Sequence, residues 1–343
     1  MDEIEGIDVA GVTTWFEDNA SGVKPPLAFD LIAGGRSNLT FRVTDDADGS
    51  WVLRRPPLGH VLATAHDMGR EHTIISALGS TAVPVPPTVG LCTDEAVNGA
   101  PFYVMDFVDG LVVRDAHAAA ELSLEQRRQA GLSIAETLAA IHAVDVDAVG
   151  LGDLARREGY IARQLKRWYA QWDSSKTHDL PDLDRTYERL VASIPDQGPA
   201  SIVHGDYRLD NCIVGPDGSV VAVLDWELCT LGDPLADLGL LMVYWSDPED
   251  PHTALPGTAT ALDGFPRKAE LVARYEEVSG RTVGNLDFYV AFGFWKLACI
   301  LQGVYARYAA GAMGRDVSGF EVFVEQVRLL AAAAAAAADR MDA

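Results

Sequence analysis

The sequence predicts an α+β fold in which a β-rich N-terminal part precedes a longer and mainly helical part. The first observation is a pair of β-rich segments, LTFRVTD and SWVLRRP, on either side of the turn residues Asp45 to Gly49, which is typical of a β-hairpin. The second is a change of pattern after Gly110, where helical periodicity takes over. It begins with SLEQRRQAGLSIAETLAAIHAVD, in which Ser123 and Gln126 have the spacing of a capping box.

The N-terminal part is expected to run in the order β-β-α-β after an initial helical segment. That segment is acidic, covers about Val9 to Ala20 and gives way at Pro25 and Pro26. After the hairpin we expect a helix from about Ala63 to Leu78 and a Pro-rich loop at Val83–Pro87. The apolar run PFYVMDFVDG then predicts a strand that ends in a glycine turn.

The C-terminal part carries one β-rich exception, residues 201–225. The segments SIVHGD, CIV and SVVAVLD predict short strands, and the turn Gly215–Gly218 indicates a β-hairpin. The rest is expected to be helical, and it ends in a helix from Phe320 through the alanine run Ala331–Ala338.

Composition and charge limit the class of protein. The chain has 343 residues, of which 48% are hydrophobic, enough for one large or two modest cores. Its formal net charge of −23 repels phosphate backbones and anionic lipids, which argues against nucleic acid or membrane surfaces as partners. The same charge would favour a cationic substrate or would simply keep the protein soluble, and the sequence leaves both interpretations open.

Features that the sequence lacks indicate the cellular location of the protein and the state of its cysteines. The start MDEIEGIDVA has no basic or apolar region of a signal peptide, and no uninterrupted apolar stretch approaches the roughly 20 residues that span a bilayer. We therefore expect a cytoplasmic protein. The four cysteines are scattered without a CxxC pair, so neither a disulfide framework nor a zinc site is indicated.

The most informative motif is HGDYRLDN, which runs from His204 to Asn211. Phosphoryl transfer needs a carboxylate to orient the attacking hydroxyl, oxygen ligands for Mg²⁺ and cations against the phosphates. In the kinase pattern H-R-D-x-x-x-x-N the Asp is the base and the Asn binds metal, and Asp206 and Asn211 have that spacing. Asp225 then stands where the kinase D-F-G element places its metal-binding Asp, here as Asp225-Trp226-Glu227.

Together with LDWE and LGDPLADLG downstream, this motif resembles the aminoglycoside phosphotransferase and choline kinase superfamily. The segments GYIARQLKRWYAQW and FWKLACILQGVYARY are similar to the kinase-like domains fused to acyl-CoA dehydrogenases, and the resemblance runs from about Leu27 to about Val327. It implies a protein-kinase-like two-lobe fold with the nucleotide between the lobes. The implied divisions are an N-terminal helical segment at residues 1–26, a small antiparallel β-sheet N-lobe at 27–108 and a mainly helical C-lobe at 109–343.

The resemblance also implies an activity, the Mg²⁺-dependent transfer of a γ-phosphoryl group from ATP or GTP to a hydroxyl of a small molecule. Asp206 would be the catalytic base, Arg208 would offset charge on the transferred group, and Asn211 and Asp225 would hold Mg²⁺. Arg54 stands at the position of the nucleotide-contacting Lys, and an Arg there keeps the charge but changes the geometry.

The resemblance implies further nucleotide contacts in the N-lobe. Glu71 would pair with Arg54, and the backbone groups of Met105 and Phe107 would hydrogen-bond the purine, which leaves ATP and GTP undistinguished. The phosphate-covering loop falls between the first two strands, on Gly34, Gly35, Ser37 and Asn38.

Several residues admit a structural interpretation beside a functional one. His204 is expected to be an internal hydrogen-bonding strut, and Asp233 and Asp237 to brace the loop and cap a helix rather than bind metal. Trp168 and its aromatic neighbours Tyr169 and Trp172 would pack in a core or stack a flat substrate. The basic group on this segment is a solvated face or an anionic-substrate site; it consists of Arg156, Arg157, Arg163, Lys166 and Arg167.

The acceptor is the open question. Aminoglycosides are the default expectation for the superfamily, and the acidic stretches at residues 179–184 and 247–250 would suit a polyamine or are plain surface loops. The likeness to dehydrogenase-fused domains favours a hydroxyacyl-CoA or a hydroxy acid instead. A different class of function is a catalytically inactive nucleotide-binding module or a partner of an acyl-CoA dehydrogenase, which the departure at Arg54 motivates.

Overall fold

The computed structural model describes residues 4–33, 38–58, 67–250, 255, 259–309 and 321–341. The chain divides into two compact units. The first, which we call the sheet unit, comprises residues 1–110, 149–151 and 221–227. The second, the helical unit, comprises residues 111–148, 152–220 and 228–343.

The sheet unit contains one antiparallel sheet of five strands. The strands are β1 (Ala28–Ala33), β2 (Leu39–Thr44), β3 (Ser50–Arg55), β4 (Thr88–Cys92) and β5 (Phe102–Asp106). They are hydrogen-bonded in the order β1-β2-β3-β5-β4, so β3 lies at the centre. The register places Arg54 of β3 opposite Thr40 on one side and Tyr103 on the other.

The helices of the sheet unit begin at aspartate caps. They are α1 (Val9–Asn19), α2 (Met68–Leu78) and α3 (Glu95–Asn98), and Asp8, Asp67 and Asp94 each accept a backbone N–H of the first turn. The alternating burial of β2 turns Phe41 and Val43 inward, where they join Phe16 of α1 in the core of this unit. The core therefore forms between α1 and the sheet.

The helical unit contains eight helices among its described residues. They are α4 (Ala116–Ala120), α5 (Leu124–Ala143), α6 (Tyr160–Ser175), α7 (Pro181–Ala192), α8 (Leu235–Tyr244), α9 (Lys268–Ser279), α10 (Leu286–Ala309) and α11 (Glu321–Arg340). Four short strands interrupt them: β6 (Ser201–Val203), β7 (Cys212–Val214), β8 (Val220–Val223), which continues into the sheet unit, and β9 (Thr230–Gly232).

Helix α10 is the central helix of this unit. It packs against α6, α8 and α11, and it contributes Phe288, Phe292 and Trp295 to a core that also contains Leu165 and Trp172 of α6. Among the described residues α10 alone is long and apolar enough to cross a membrane, yet 61% of its most apolar window is buried inside the protein. Its hydrophobicity is that of a core helix.

The predicted fold class is confirmed, with differences in single elements. The capping box at Ser123 and Gln126 forms with both hydrogen bonds and opens α5. The predicted strands on either side of the turn Gly215–Gly218 form as β7 and β8, and the strand predicted in SIVHGD is β6, which pairs with β9. Strands β4 and β9 have no counterpart in the predicted pattern. Helix α2 begins at Met68 because Asp67 caps it, and the predicted residues 63–66 lie outside the described residues.

Candidate active site

The predicted catalytic motif forms a single loop of the helical unit, which we call the HGD loop (His204–Asn211). It follows β6 and ends in a 3₁₀ turn. The Asn211 amide donates to the Asp206 carbonyl oxygen at 2.8 Å and to the Asp206 carboxylate Oδ2 at 3.0 Å. Arg208 Nε lies 3.4 Å from the same Oδ2 and 3.1 Å from Asp210 Oδ1. The structure thus brings Asp206, Arg208 and Asn211 together.

Asp237 of α8 fixes the backbone of the HGD loop. Its carboxylate accepts the His204 N–H at 2.6 Å and the Gly205 N–H at 2.9 Å, and its side chain is 1% exposed. Burial alone would raise the pKa of Asp237, but the His142 imidazole at 3.6 Å and the Gly205 N–H lower it below its usual value. Burial lowers the pKa of His142, so an ionised Asp237 faces a neutral imidazole.

The structural interpretation of His204 and Asp233 is confirmed. His204 is fully buried and its Nδ1 accepts the Asp206 N–H at 3.3 Å, so it acts as a strut inside the loop. Asp233 accepts the Tyr289 hydroxyl at 2.8 Å and the Leu235 N–H, at the start of α8, at 3.1 Å. Both aspartates of GDPLADLG therefore support the loop and the helix that holds it.

Sequence reasoning missed Lys296, a buried lysine in the middle of α10. Its ammonium donates to the Gly205 carbonyl oxygen at 3.2 Å, so it contacts the HGD loop directly. Its side chain lies in a helix whose other buried residues are mostly apolar. A single lysine among FWKLACIL was the available signal, because a lysine is almost never buried without a reason.

The sheet unit holds a second cluster of predicted residues, centred on Arg54. Arg54 Nη1 lies 3.0 Å from Glu71 Oε1, and Nη2 lies 3.2 Å from Asp225 Oδ1. The side chains of Arg54 and Glu71 are 10% and 1% exposed, whereas that of Asp225 is 35% exposed. The two ends of the guanidinium fork thus each hold a carboxylate, an arrangement that a single ammonium does not reproduce.

Burial and charge oppose each other in this cluster. Burial would lower the pKa of Arg54, but Tyr103, Glu71 and Asp225 raise it above its ordinary value. Burial raises the pKa of Glu71 despite the attraction of Arg54 and the Tyr103 hydroxyl. Asp225 has a φ of 65°, which places its backbone in the left-handed region.

The phosphate-covering loop is described only at its last residue. Asn38 is buried and its amide lies 3.5 Å from Glu227 Oε2, next to the DWE segment. Arg70, one residue before Glu71, donates to the Glu227 carbonyl oxygen at 3.3 Å. The predicted contacts at Gly34, Gly35 and Ser37 lie outside the described residues.

The predicted purine-binding segment is part of the sheet. Met105 is paired with Val52 of β3 and with Thr88 of β4. The Phe107 N–H donates to the Ser50 carbonyl oxygen at 3.2 Å, and the Arg42 guanidinium lies 4.2 Å from the centre of the Phe107 ring. Because this N–H is already paired, a purine contact from Phe107 would have to use its carbonyl oxygen.

Comparison with known proteins yields matches along most of the chain. The model of the phosphotransferase enzyme family matches residues 29–271. Acyl-CoA dehydrogenase family member 11 of Gallus gallus is 36% identical over 306 residues, which are 87% of this chain. The match covers only 39% of the chicken protein, so the chain spans about two-fifths of that relative's length.

Solved structures agree with the fold. A crystal structure of a candidate aminoglycoside phosphotransferase from Ralstonia eutropha is 33% identical, with a TM-score of 0.82 over 97% of this chain and 99% of that one. Spectinomycin phosphotransferase in complex with ADP and spectinomycin has a TM-score of 0.62 over 95% of this chain and 98% of that one. At 12% identity the second likeness concerns the fold alone.

Proposed function

The chain belongs to the phosphotransferase enzyme family, and from that premise we propose that it transfers the γ-phosphoryl group of ATP or GTP to a hydroxyl of a small molecule. Family membership confirms the resemblance on which the prediction was based. The observation that carries the proposal is the HGD loop, in which Asp206 and Asn211 are in contact and the backbone is clamped by Asp237. Such preorganisation is what phosphoryl transfer requires of a protein.

Asp206 is the base in this proposal. Its Oδ2 already accepts the Asn211 amide, so the carboxylate is held in one orientation and can accept the proton of the acceptor hydroxyl. Arg208 stands beside it, with its guanidinium 4.8 Å from the centre of the Tyr244 ring. From there its charge would offset the negative charge of the transferred group.

The donor atoms of Asn211 and Asp225 suit a hard cation such as Mg²⁺. The Asn211 amide nitrogen is used within the HGD loop, and among the described residues no hydrogen bond engages its Oδ1 or the Oδ2 of Asp225. We propose that these two oxygens hold the ion, with water and phosphate oxygens as its other ligands. When bound, Mg²⁺ would neutralise charge on the phosphates.

Arg54 is proposed to contact the nucleotide phosphates while Glu71 holds it in place. Glu71 is the more deeply buried of its two carboxylate partners, so this ion pair anchors the guanidinium. The pair with the half-buried Asp225 is the one that phosphate oxygens would compete with.

The acceptor belongs to one of two classes. The Ralstonia eutropha structure, 33% identical, carries the name of an aminoglycoside phosphotransferase, which supports an aminoglycoside. The curated relative carries the name of an acyl-CoA dehydrogenase, which supports a hydroxyacyl-CoA or a hydroxy acid. We favour the second class because the curated relative is 36% identical to this chain, against 33% for the Ralstonia eutropha structure.

The test is ATP- and Mg²⁺-dependent phosphorylation of a panel of aminoglycosides, choline, homoserine and hydroxyacyl-CoA compounds by the wild type and by Asp206→Asn. We expect one class to be phosphorylated and the variant to lose about 10³-fold or more in kcat with nucleotide affinity unchanged. Asp217→Asn, in an exposed turn, is the matched control and should retain full activity. Full activity of Asp206→Asn would refute the proposed base.

A second candidate function is a nucleotide-binding module without turnover, or a partner of an acyl-CoA dehydrogenase. The observation that favours it is the Arg54 fork, which holds Asp225, a proposed metal ligand, through a direct ion pair. Nucleotide binding that persists without turnover on every acceptor of the panel would support this alternative.

A further inference from the structure

The buried lysine of α10 has one hydrogen-bond acceptor for three donors. Lys296 is 8% exposed, and among the described residues the Gly205 carbonyl oxygen is its only hydrogen-bond partner. No carboxylate of that part of the chain lies within 4.0 Å of its ammonium. A buried ammonium without a counter-ion is disfavoured by several kcal/mol at the order-of-magnitude level, so this side chain requires an explanation.

The two carboxylates that attract Lys296, those of Asp237 and Asp206, are engaged elsewhere. Asp237 accepts the backbone N–H groups of His204 and Gly205, and Asp206 accepts the Asn211 amide. Both attract Lys296 at longer range, but burial dominates and lowers its pKa. The HGD loop therefore fixes the position of the ammonium without neutralising it.

A second cation lies near the same tryptophan ring as Lys296. The Arg167 guanidinium of α6 is 5.0 Å from the centre of the Trp168 ring, and the Lys296 ammonium is 6.0 Å from the same ring. Arg167 is exposed and, among the described residues, forms no ion pair with a carboxylate. Its charge lowers the pKa of Lys296 further, as expected of two neighbouring like charges.

Two like charges on one indole, next to the proposed base, are unusual in a chain of net charge −23. A negative group bound by both cations would offset the desolvation of Lys296 and its repulsion from Arg167. An aminoglycoside or another polycation would be repelled at this point.

We propose that Lys296 and Arg167 form a subsite for an anionic oxygen group of the acceptor, with the Trp168 ring, which lies near both cations, as its apolar part. The inference rests on the proposed function and narrows it, because the acceptor alcohol must then carry a carboxylate or a phosphate. The three residues belong to the segments KRWYAQW and FWKLACIL on α6 and α10. The HGD loop, which performs the chemistry, contributes only the Gly205 carbonyl.

The test compares acceptors that carry an anionic group with acceptors that lack it. Hydroxy carboxylates are paired with diols of the same chain length, and hydroxyacyl-CoA esters with the matching uncharged N-acetylcysteamine thioesters. For Lys296→Met we expect KM for the anionic member to rise about 10- to 100-fold, the loss of one charged hydrogen bond, while KM for the uncharged member changes less than about 3-fold. Lys296→Arg should restore part of the difference.

Two further variants keep the test interpretable if Lys296→Met does not fold. Arg167 is exposed, and Arg167→Gln should show the same difference in KM between charged and uncharged acceptors. Lys166→Gln, the adjacent exposed cation on α6, is the matched control and should change neither KM. A purely structural role of Lys296 would lower kcat equally on both members of a pair and leave no split, and this result would overturn the subsite.

Direct binding separates the subsite from the proposed reaction. Isothermal titration of the anionic probes into Asp206→Asn measures affinity without turnover, and adding Lys296→Met should weaken it by the same factor. Binding that depends on Lys296 without turnover in the wild type would refute the reaction and retain the subsite. Turnover of both members of a pair with the same change in KM would refute the subsite and retain the reaction. Absence of binding by every anionic probe would also refute the subsite.

Discussion

Breaking the ion pair between Arg54 and Glu71 should strongly destabilise the sheet unit. Arg54→Met removes the guanidinium but keeps the apolar stem, and it leaves a carboxylate that is 1% exposed without its cation. Breaking a buried pair in this way typically costs about 3–5 kcal/mol of unfolding free energy. Glu71→Gln should cost less, about 1–3 kcal/mol, because Arg54 keeps Asp225 as a partner.

The double variant Arg54→Met/Glu71→Gln isolates the interaction. Neither charge of the Arg54–Glu71 pair is then left to desolvate, so we expect the double variant to be destabilised by about 2 kcal/mol less than the sum of the two single effects. Burial raises the folded-state pKa of Glu71, so the folded state favours the protonated carboxyl. The stability that this protonation gives is lost as the pH rises through that pKa. The defect of Arg54→Met should therefore be larger at about pH 8 than at about pH 5.

The assay must report on the sheet unit itself. Two compact units need not unfold in one transition, so hydrogen exchange of the β3 and β5 amides is combined with urea unfolding. Arg42→Met on β2, which removes a cation over the Phe107 ring, is the control and should cost less than about 1 kcal/mol. Strictly additive effects at Arg54 and Glu71 would refute the argument.

Three further outcomes follow from the helical unit. Asp237→Asn turns its amide NH₂ toward one of the two backbone donors and leaves a neutral oxygen for the other, so we expect a loss of about 2–4 kcal/mol in urea unfolding and a lower kcat; unchanged values would show that the clamp is dispensable. Burial lowers the pKa of His142, so the unfolding free energy should fall as the pH drops below about 6.5, by at most about 1.4 kcal/mol per pH unit, and His142→Gln should flatten this slope. Gly239→Ala would place a Cβ 2.5 Å from Tyr289 Cβ and should cost about 1–3 kcal/mol in thermal unfolding, whereas Gly284→Ala, which meets nothing within 4 Å, should be neutral. Equal melting temperatures for the two alanine variants would contradict the packing of α8 on α10.

Local sequence signals predicted much of the fold. The capping box before α5 and the turn between β2 and β3 involve residues close in sequence, so their pattern is visible in one segment. The pairing of β6 with β9 joins residues about 30 positions apart and has no such signal. Strand β4 is short, contains Gly90 and is only half-buried, so it lacks the alternation that identifies a strand.

In the candidate site too, residues close in sequence were predictable and contacts between distant residues were not. Asp206, Arg208 and Asn211 were predictable because the motif specifies their spacing within one loop. The contact of Arg54 with Glu71 followed from the resemblance, but its second contact with Asp225 joins residues 171 positions apart. Lys296 acquires its meaning only from its position beside Gly205, 91 residues away, and no periodicity in α10 distinguishes it from a surface lysine.

The left-handed backbone of Asp225 decides which inactive enzyme can be made there. At a φ of 65° a β-carbon is tolerated best with the short polar side chains of Asp and Asn, whereas Ala adds about 1 kcal/mol of strain. Alanine scanning at this position would therefore confuse a distorted loop with a missing carboxylate. Asp225→Asn changes the charge and keeps the backbone, so it is the substitution with which a metal-binding role should be judged.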